Sequence, residues 1–292
     1  MFGGLKALFN VEKVELNFHM HFHFDGDLQK LPEAKRQVLD RFQTIINDHC
    51  VTAAQLVRLV PPDWNWSILN VTDPDQFLAS LRPKQFEWFS ETFRVERRWL
   101  EGAESCPAHW LDGDRDPARL LKSLDTLGWL DQDLRMTVCV AQRDHIRGDL
   151  PKRLVTIFSH PIAVWDNGGT SIFRHAQFGG LWDLCHPPCY KNFMAVARWY
   201  VRVLNSFGRI PIVPISSEDF EDLYEMRMHP AKFFTTQYGG YQCLSDHVLY
   251  PLTDRNGESA SGVPNRNLPA IIEYMDQCGM HHGGRIDQRE TS

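Results

Sequence analysis

From Val14 to Asp25 the chain alternates large apolar and polar residues. Val14, Leu16, Phe18, Met20, Phe22 and Phe24 fall on one side of an extended segment; Asn17, His19, His21, His23 and Asp25 fall on the other. Successive side chains of a strand point to opposite faces, so the pattern predicts a long opening strand. Its phenylalanine face would seat a core and its imidazole face would turn away.

After Gly26-Asp27 the period changes. Pro32 opens a helix with Glu33 in its first turn, and Val38, Phe42, Ile45 and Ile46 recur at helical spacing. Pro61-Pro62-Asp63 breaks the pattern, and Trp64 to Val71 reads as a further strand. Thr72-Asp73-Pro74 starts a helix, residues 83–101 form another, and Asp116-Pro117 caps a third that runs to Gly128. The second half starts with a strand, Met136 to Val140. Residues 153–165 and 170–178 read as the arms of a hairpin turned by Asp166-Asn167-Gly168-Gly169, with Gly179-Gly180 ending it. Lys191 to Phe207 carries a helical stripe of Phe193, Val196, Ala197, Tyr200, Val203 and Leu204. Ile210 to Ile215 reads as an edge strand because of Pro211 and Pro214, and Ser216 to Asp219 opens a helix. Residues 251–267 read as a loop and Ala270 to Cys278 as a last helix.

Strands and helices mix without strict βαβ alternation. The expected fold is α+β, with a mainly antiparallel or mixed sheet and amphipathic helices packed on one side. With 292 residues, the chain forms either one continuous domain or two halves, an N-terminal β-α half over 1–130 and a C-terminal α+β half over 131–292.

Composition narrows the function classes. The net charge of −6 disfavours nucleic acid and anionic membrane as partners. Arg94, Arg97 and Arg98 lie among Glu91 and Glu96 and read as a solvated helix face. No long apolar run predicts a spanning helix, and no export signal is read at the start. Seven cysteines without a framework spacing suit reduced thiols, so a cytoplasmic location is expected. The aromatic share of 12 % suits a large core or a contact surface.

Two sets of residues have metal-ligand chemistry. Two imidazoles and a carboxylate on one strand face can converge on Zn or Fe, which makes His19, His21, His23 and Asp25 the first candidates. Cys185, His186 and Cys189 share a Pro-stiffened loop and form a second set, which Cys106 and His109 would complete. Tyr238 and Tyr241 flank a glycine pair in a possible ligand-contacting loop, and Asp246-His247 is a weak acid/base pair. His21-Phe-His23-Phe-Asp25 is similar to the first metal motif of adenosine-deaminase-like hydrolases. The later motifs of those barrels are missing, so no family is assigned. Neither Tyr190 nor Tyr200 lies in the pattern of a nuclease nucleophile.

No catalytic set is complete, and the expected function is non-enzymatic: a binding protein of the toxin-neutralising or assembly type, with another protein as partner and no cofactor. The alternative is a Zn- or Fe-dependent hydrolase or oxygenase built on the opening histidines.

Overall fold

The computed structural model describes residues 22–25, 28–111, 113–131, 133–144, 151–163, 171–201, 210–235, 242–243 and 268–280. Six helices come first: α1 (Glu33–Asp48), α2 (Ala53–Leu59), α3 (Ile68–Thr72), α4 (Pro74–Ser80), α5 (Pro83–Phe93) and α6 (Arg97–Leu100). Strand β1 (Trp110–Leu111) and helix α7 (Pro117–Thr126) follow. Next come β2 (Arg135–Ala141), β3 (Arg153–Ala163), β4 (Ile172–Asp183), α8 (Pro187–Trp199) and β5 (Pro211–Ile215). The chain closes with α9 (Ser217–Tyr224), α10 (Lys232–Thr235), β6 (Gln242–Cys243) and α11 (Leu268–Gln277). The strands form one mixed sheet in the order β1-β4-β3-β2-β5-β6. Its centre, β2-β3-β4, is antiparallel; β5 pairs with β2 and β1 with β4 in parallel. The α+β class with a mixed sheet therefore holds.

The hairpin arms pair antiparallel as read, the turn over 166–169 lying outside the described residues, and their alternation gives the sheet two apolar faces. Met136, Val138, Leu154, Phe158 and Phe178 pack under α7, α8 and α11. Cys139, Val155, Ile157 and Val213 face the other way and meet Phe220 and Leu223 of α9 and Phe233 of α10. Three helices of ten or more residues thus share one side, short ones cover part of the second, and the longest helix, α1, belongs to a further core. A third core, made by the first six helices, is rich in rings: Phe42 lies 4.8 Å from Phe89 and 5.1 Å from Phe77.

Several local readings change. Residues 22–25 have no sheet partner, so the expected opening strand is not formed there; its earlier residues 14–21 lie outside the described ones. The alternation itself holds, with Phe22 and Phe24 buried and His23 and Asp25 exposed. Backbone pairing comes from elsewhere: the amide of Asn47 on α1 brackets Phe22 (2.6 and 3.1 Å), and the Asp25 N–H donates to the carbonyl of Thr72. Residues 64–71 turn helical at their end, because Ser67 and Asn70 form a reciprocal cap that starts α3. The helix over 83–101 breaks at Arg94, whose φ of 55° ends α5. Finally, β5 is not the sheet's edge: β6 lies outside it and pairs at Pro211 and Ile212.

The glycine pair does not end the hairpin either. Gly179 and Gly180, at φ of 76° and 59°, bulge out of β4, which resumes and runs to Asp183. A glycine tolerates such angles because it has no Cβ. The bulge also makes room: a Cβ on Gly180 would stand 2.8 Å from the Trp110 ring, and one on Gly179 2.6 Å from Arg115.

Candidate functional site

The predicted metal residues do not assemble. His19 and His21 lie outside the described residues. His23 and Asp25 are exposed, and the His23 ring lies 3.2 Å from the Gln43 amide. Cys185 and His186 are exposed, while Cys189 turns inward with Sγ 3.9 Å from an Arg115 nitrogen. The cause is the helix start. His186 caps α8, and Cys189 falls on that helix's buried stripe, away from the loop. His109 pairs instead with Glu96 at 2.8 Å. Among the described residues no group of three or more His, Cys, Asp or Glu side chains can hold a metal ion. Tyr238, Tyr241, Asp246 and His247 lie outside the described residues. Of the nuclease candidates, Tyr200 is buried and Tyr190 half-buried.

A different histidine cluster lies where the helical layer meets the sheet. His49, at the end of α1, has its ring centre 5.6 Å from His175 on β4 and 5.0 Å from His229. All three are buried. Sequence alternation explains His175: it stands opposite Ser159 of β3, whose hydroxyl lies 2.8 Å from its Nδ1, and the Phe234 ring stacks on it at 4.5 Å. His49 occupies the stripe of Phe42, Ile45 and Ile46, since seven residues make about two helical turns.

Backbone groups fix the tautomers. The Ile45 carbonyl can only accept, so Nδ1 of His49 carries the proton. The Ala231 N–H donates to Nδ1 of His229, so the proton of His229 sits on Nε2, which donates to the Arg94 carbonyl at 3.3 Å. Both nitrogens of His229 are thereby used, which leaves it no lone pair for a cation. Burial holds His49 at about 4. Burial, then the neighbouring rings, push His175 and His229 well below the usual histidine range. Beside them burial raises the Asp48 carboxyl to about 7, partly offset by Lys232. The cluster is a buried, neutral seam joining helices to sheet.

Arg94 leads from this seam to the surface. Its carbonyl holds His229, and its side chain lines a cleft of about 390 Å³ together with Trp110, Leu111, Arg119, Lys122, Ser123, Thr126 and Leu127. Each wall has a local cause. Trp110 lies on β1, seated over Gly180 and still 37 % exposed. Arg119, Lys122, Ser123 and Thr126 share one face of α7, because Leu120 and Leu124 turn the opposite face into the core. The cations Arg94, Arg119 and Lys122 face the cleft, and no carboxylate is among its lining residues. Arg94 has its pKa lowered chiefly by burial, and its Nε is buried without a hydrogen-bond partner among the described residues. By contrast, Arg97 and Arg98 pair with Glu101 and Glu104 on the surface, as a solvated face should. The Thr126 hydroxyl turns back to the carbonyl of Lys122.

The chain therefore presents a sealed imidazole seam and an open cationic cleft with an aromatic wall. No known family, no curated protein and no solved structure matches it.

Proposed function

We propose that this is a non-enzymatic binding protein that engages an acidic stretch of a protein partner through the cleft. One observation carries the reading. A chain of net charge −6 gathers Arg94, Arg119 and Lys122 around one concavity whose lining includes no carboxylate, cysteine or histidine. A cleft whose lining is mainly cationic and apolar is suited to recognition, and its charge sets which partners are attracted. Trp110 adds an apolar wall of the kind that anchors interfaces. No helix among the described residues is long and apolar enough to cross a membrane.

The test is a panel of acidic, neutral and basic peptides read by fluorescence anisotropy. Acidic peptides should bind and weaken as salt rises. Arg119→Glu combined with Lys122→Glu should lower affinity at least tenfold. Both side chains are exposed, so the fold should be unaffected. The reading fails if no acidic peptide binds, or if the protein turns over a substrate and loses that turnover in the double variant. The metal-dependent alternative rests on His19 and His21 outside the described residues. Elemental analysis of untagged protein decides it: near-stoichiometric Zn or Fe, lost in His21→Ala/His23→Ala, would favour it.

A further inference from the structure

The lining of the cleft says more about its ligand than its sign. A carboxylate brings one negative charge and two oxygens. Here three cations converge on one small space, two of them on long exposed stems and one half-buried. A phosphate monoester carries about −1.5 to −2 charges at neutral pH and has three strong acceptor oxygens. Its charge and its three acceptor oxygens suit a lining of three cations better than a single carboxylate does. Arginine also favours such groups because its fork of N–H donors matches two oxygens in one plane.

Arg94 is the best placed of the three. Its backbone is pinned at the end of α5: the carbonyl accepts from His229 and from the amide of His109 (3.4 Å), and the next residue, Val95, bridges Ala108. The point at which the side chain leaves the backbone is therefore fixed. Arg119 contacts Asp116 only at 3.8 Å, a loose pair that a stronger anion displaces easily.

Size and total charge select the carrier. About 390 Å³ is at the small end of ligand sites, room for one side chain rather than a helix or strand. Trp110 supplies a wall for the carbon part of that side chain. A nucleic acid would bring many phosphates against a chain of net −6, and three cations in one cleft do not make a continuous basic track. We infer that the cleft takes a phosphorylated side chain displayed by a partner protein. This inference rests on the acidic-partner reading above and names the group recognised.

The experiment uses the full chain and sets of matched peptides: phosphoserine or phosphotyrosine at one position, glutamate there, and the unmodified residue. Binding is read by anisotropy, with inorganic phosphate and a single-stranded oligonucleotide as further ligands. The phosphopeptide should bind at least tenfold tighter than its glutamate twin. Arg119→Glu and Lys122→Glu should each cut that preference several-fold. Arg94→Lys keeps the charge but loses the fork, and should also reduce it, with circular dichroism confirming the fold. Equal binding of phospho- and glutamate peptides would overturn the inference and leave the acidic-partner reading standing. Failure of every acidic peptide would end both. Tighter binding of free phosphate or of the oligonucleotide would also overturn the inference, since the recognised carrier would not be a protein side chain.

Discussion

Acidification from pH 7 towards pH 4 should destabilise this protein steeply. His49 titrates at about 4 in the folded chain, and His175 and His229 lie well below 6.5. Unfolding returns each to about 6.5. Between the two values the unfolded chain holds more protons, so stability rises with pH. The stabilisation is complete above about 6.5 and is lost as pH falls towards the folded values. Asp48 acts in the opposite sense. Its folded value of about 7 exceeds the 3.8 of an ordinary aspartate, so it contributes stability at low pH that is lost as pH rises through 7. Three histidines against one aspartate leave two net protons taken up on unfolding. At about 1.4 kcal/mol per proton per pH unit, the slope is about 3 kcal/mol per pH unit. His109, pushed to about 4 by burial and Arg94, adds in the same direction, while its partner Glu96, raised chiefly by burial, opposes it. Urea midpoints between pH 7 and pH 4.5 measure this. In His49→Gln, whose amide can still donate to the Ile45 carbonyl, the slope should flatten by about one proton. An unchanged slope in that variant would mean the seam does not govern acid stability.

Phe89→Ala should be the most damaging single truncation in the helical layer. The ring is fully buried, with ring centres at 4.8 Å (Phe42), 5.0 Å (Trp88), 5.6 Å (Phe93) and 6.4 Å (Trp66 and Phe77). Replacing a buried Phe by Ala costs about 3–5 kcal/mol, because the transfer energy is lost and a cavity remains. Stiff neighbouring rings fill such a cavity poorly. For a chain of this size the melting temperature should drop by roughly 10 °C. Phe93, which stacks on Phe89, also packs at 4.8 Å from His49. The damage should therefore reach the seam, and protection of the α1 amides from hydrogen exchange should fall with the melting temperature. A loss below about 1 kcal/mol would show that the rings collapse into the space.

Local pattern made some of this legible. The hairpin could be read because two alternating arms flank a turn, and α1, α7 and α8 because their apolar residues keep the helical period. Residues 22–25 kept their alternation but lacked a sheet neighbour, since periodicity records which side is buried and not what pairs with the backbone. There Asn47, a helix side chain, took the neighbour's place. Trp64 to Val71 misled because aromatic and β-branched residues suit strands, whereas the reciprocal Ser67 and Asn70 cap decided otherwise.

The site was less legible than the fold. His49 and His175 each sat on a face that the pattern marks as buried, so their burial was readable. Their meeting depends on segments more than a hundred residues apart, and His229 lies in an irregular stretch with no period. Arg94 was grouped with Arg97 and Arg98 as a solvated face. The break of α5 at Arg94 sets it apart from the helix that carries Arg97 and Arg98, and Arg94 lines the cleft.

The Gly179-Gly180 bulge has a consequence for length variation in this strand. One step along β3, from Thr156 to Val155, is matched by three along β4, from Phe178 to Leu181. The surplus is an even number, so Trp182 returns to the same side as Phe178. Excising both glycines together would preserve which way every later residue points. Losing just one would invert the remainder of the strand and turn Trp182 out of its own core towards the face covered by α9 and α10, so this locus tolerates paired changes in length best.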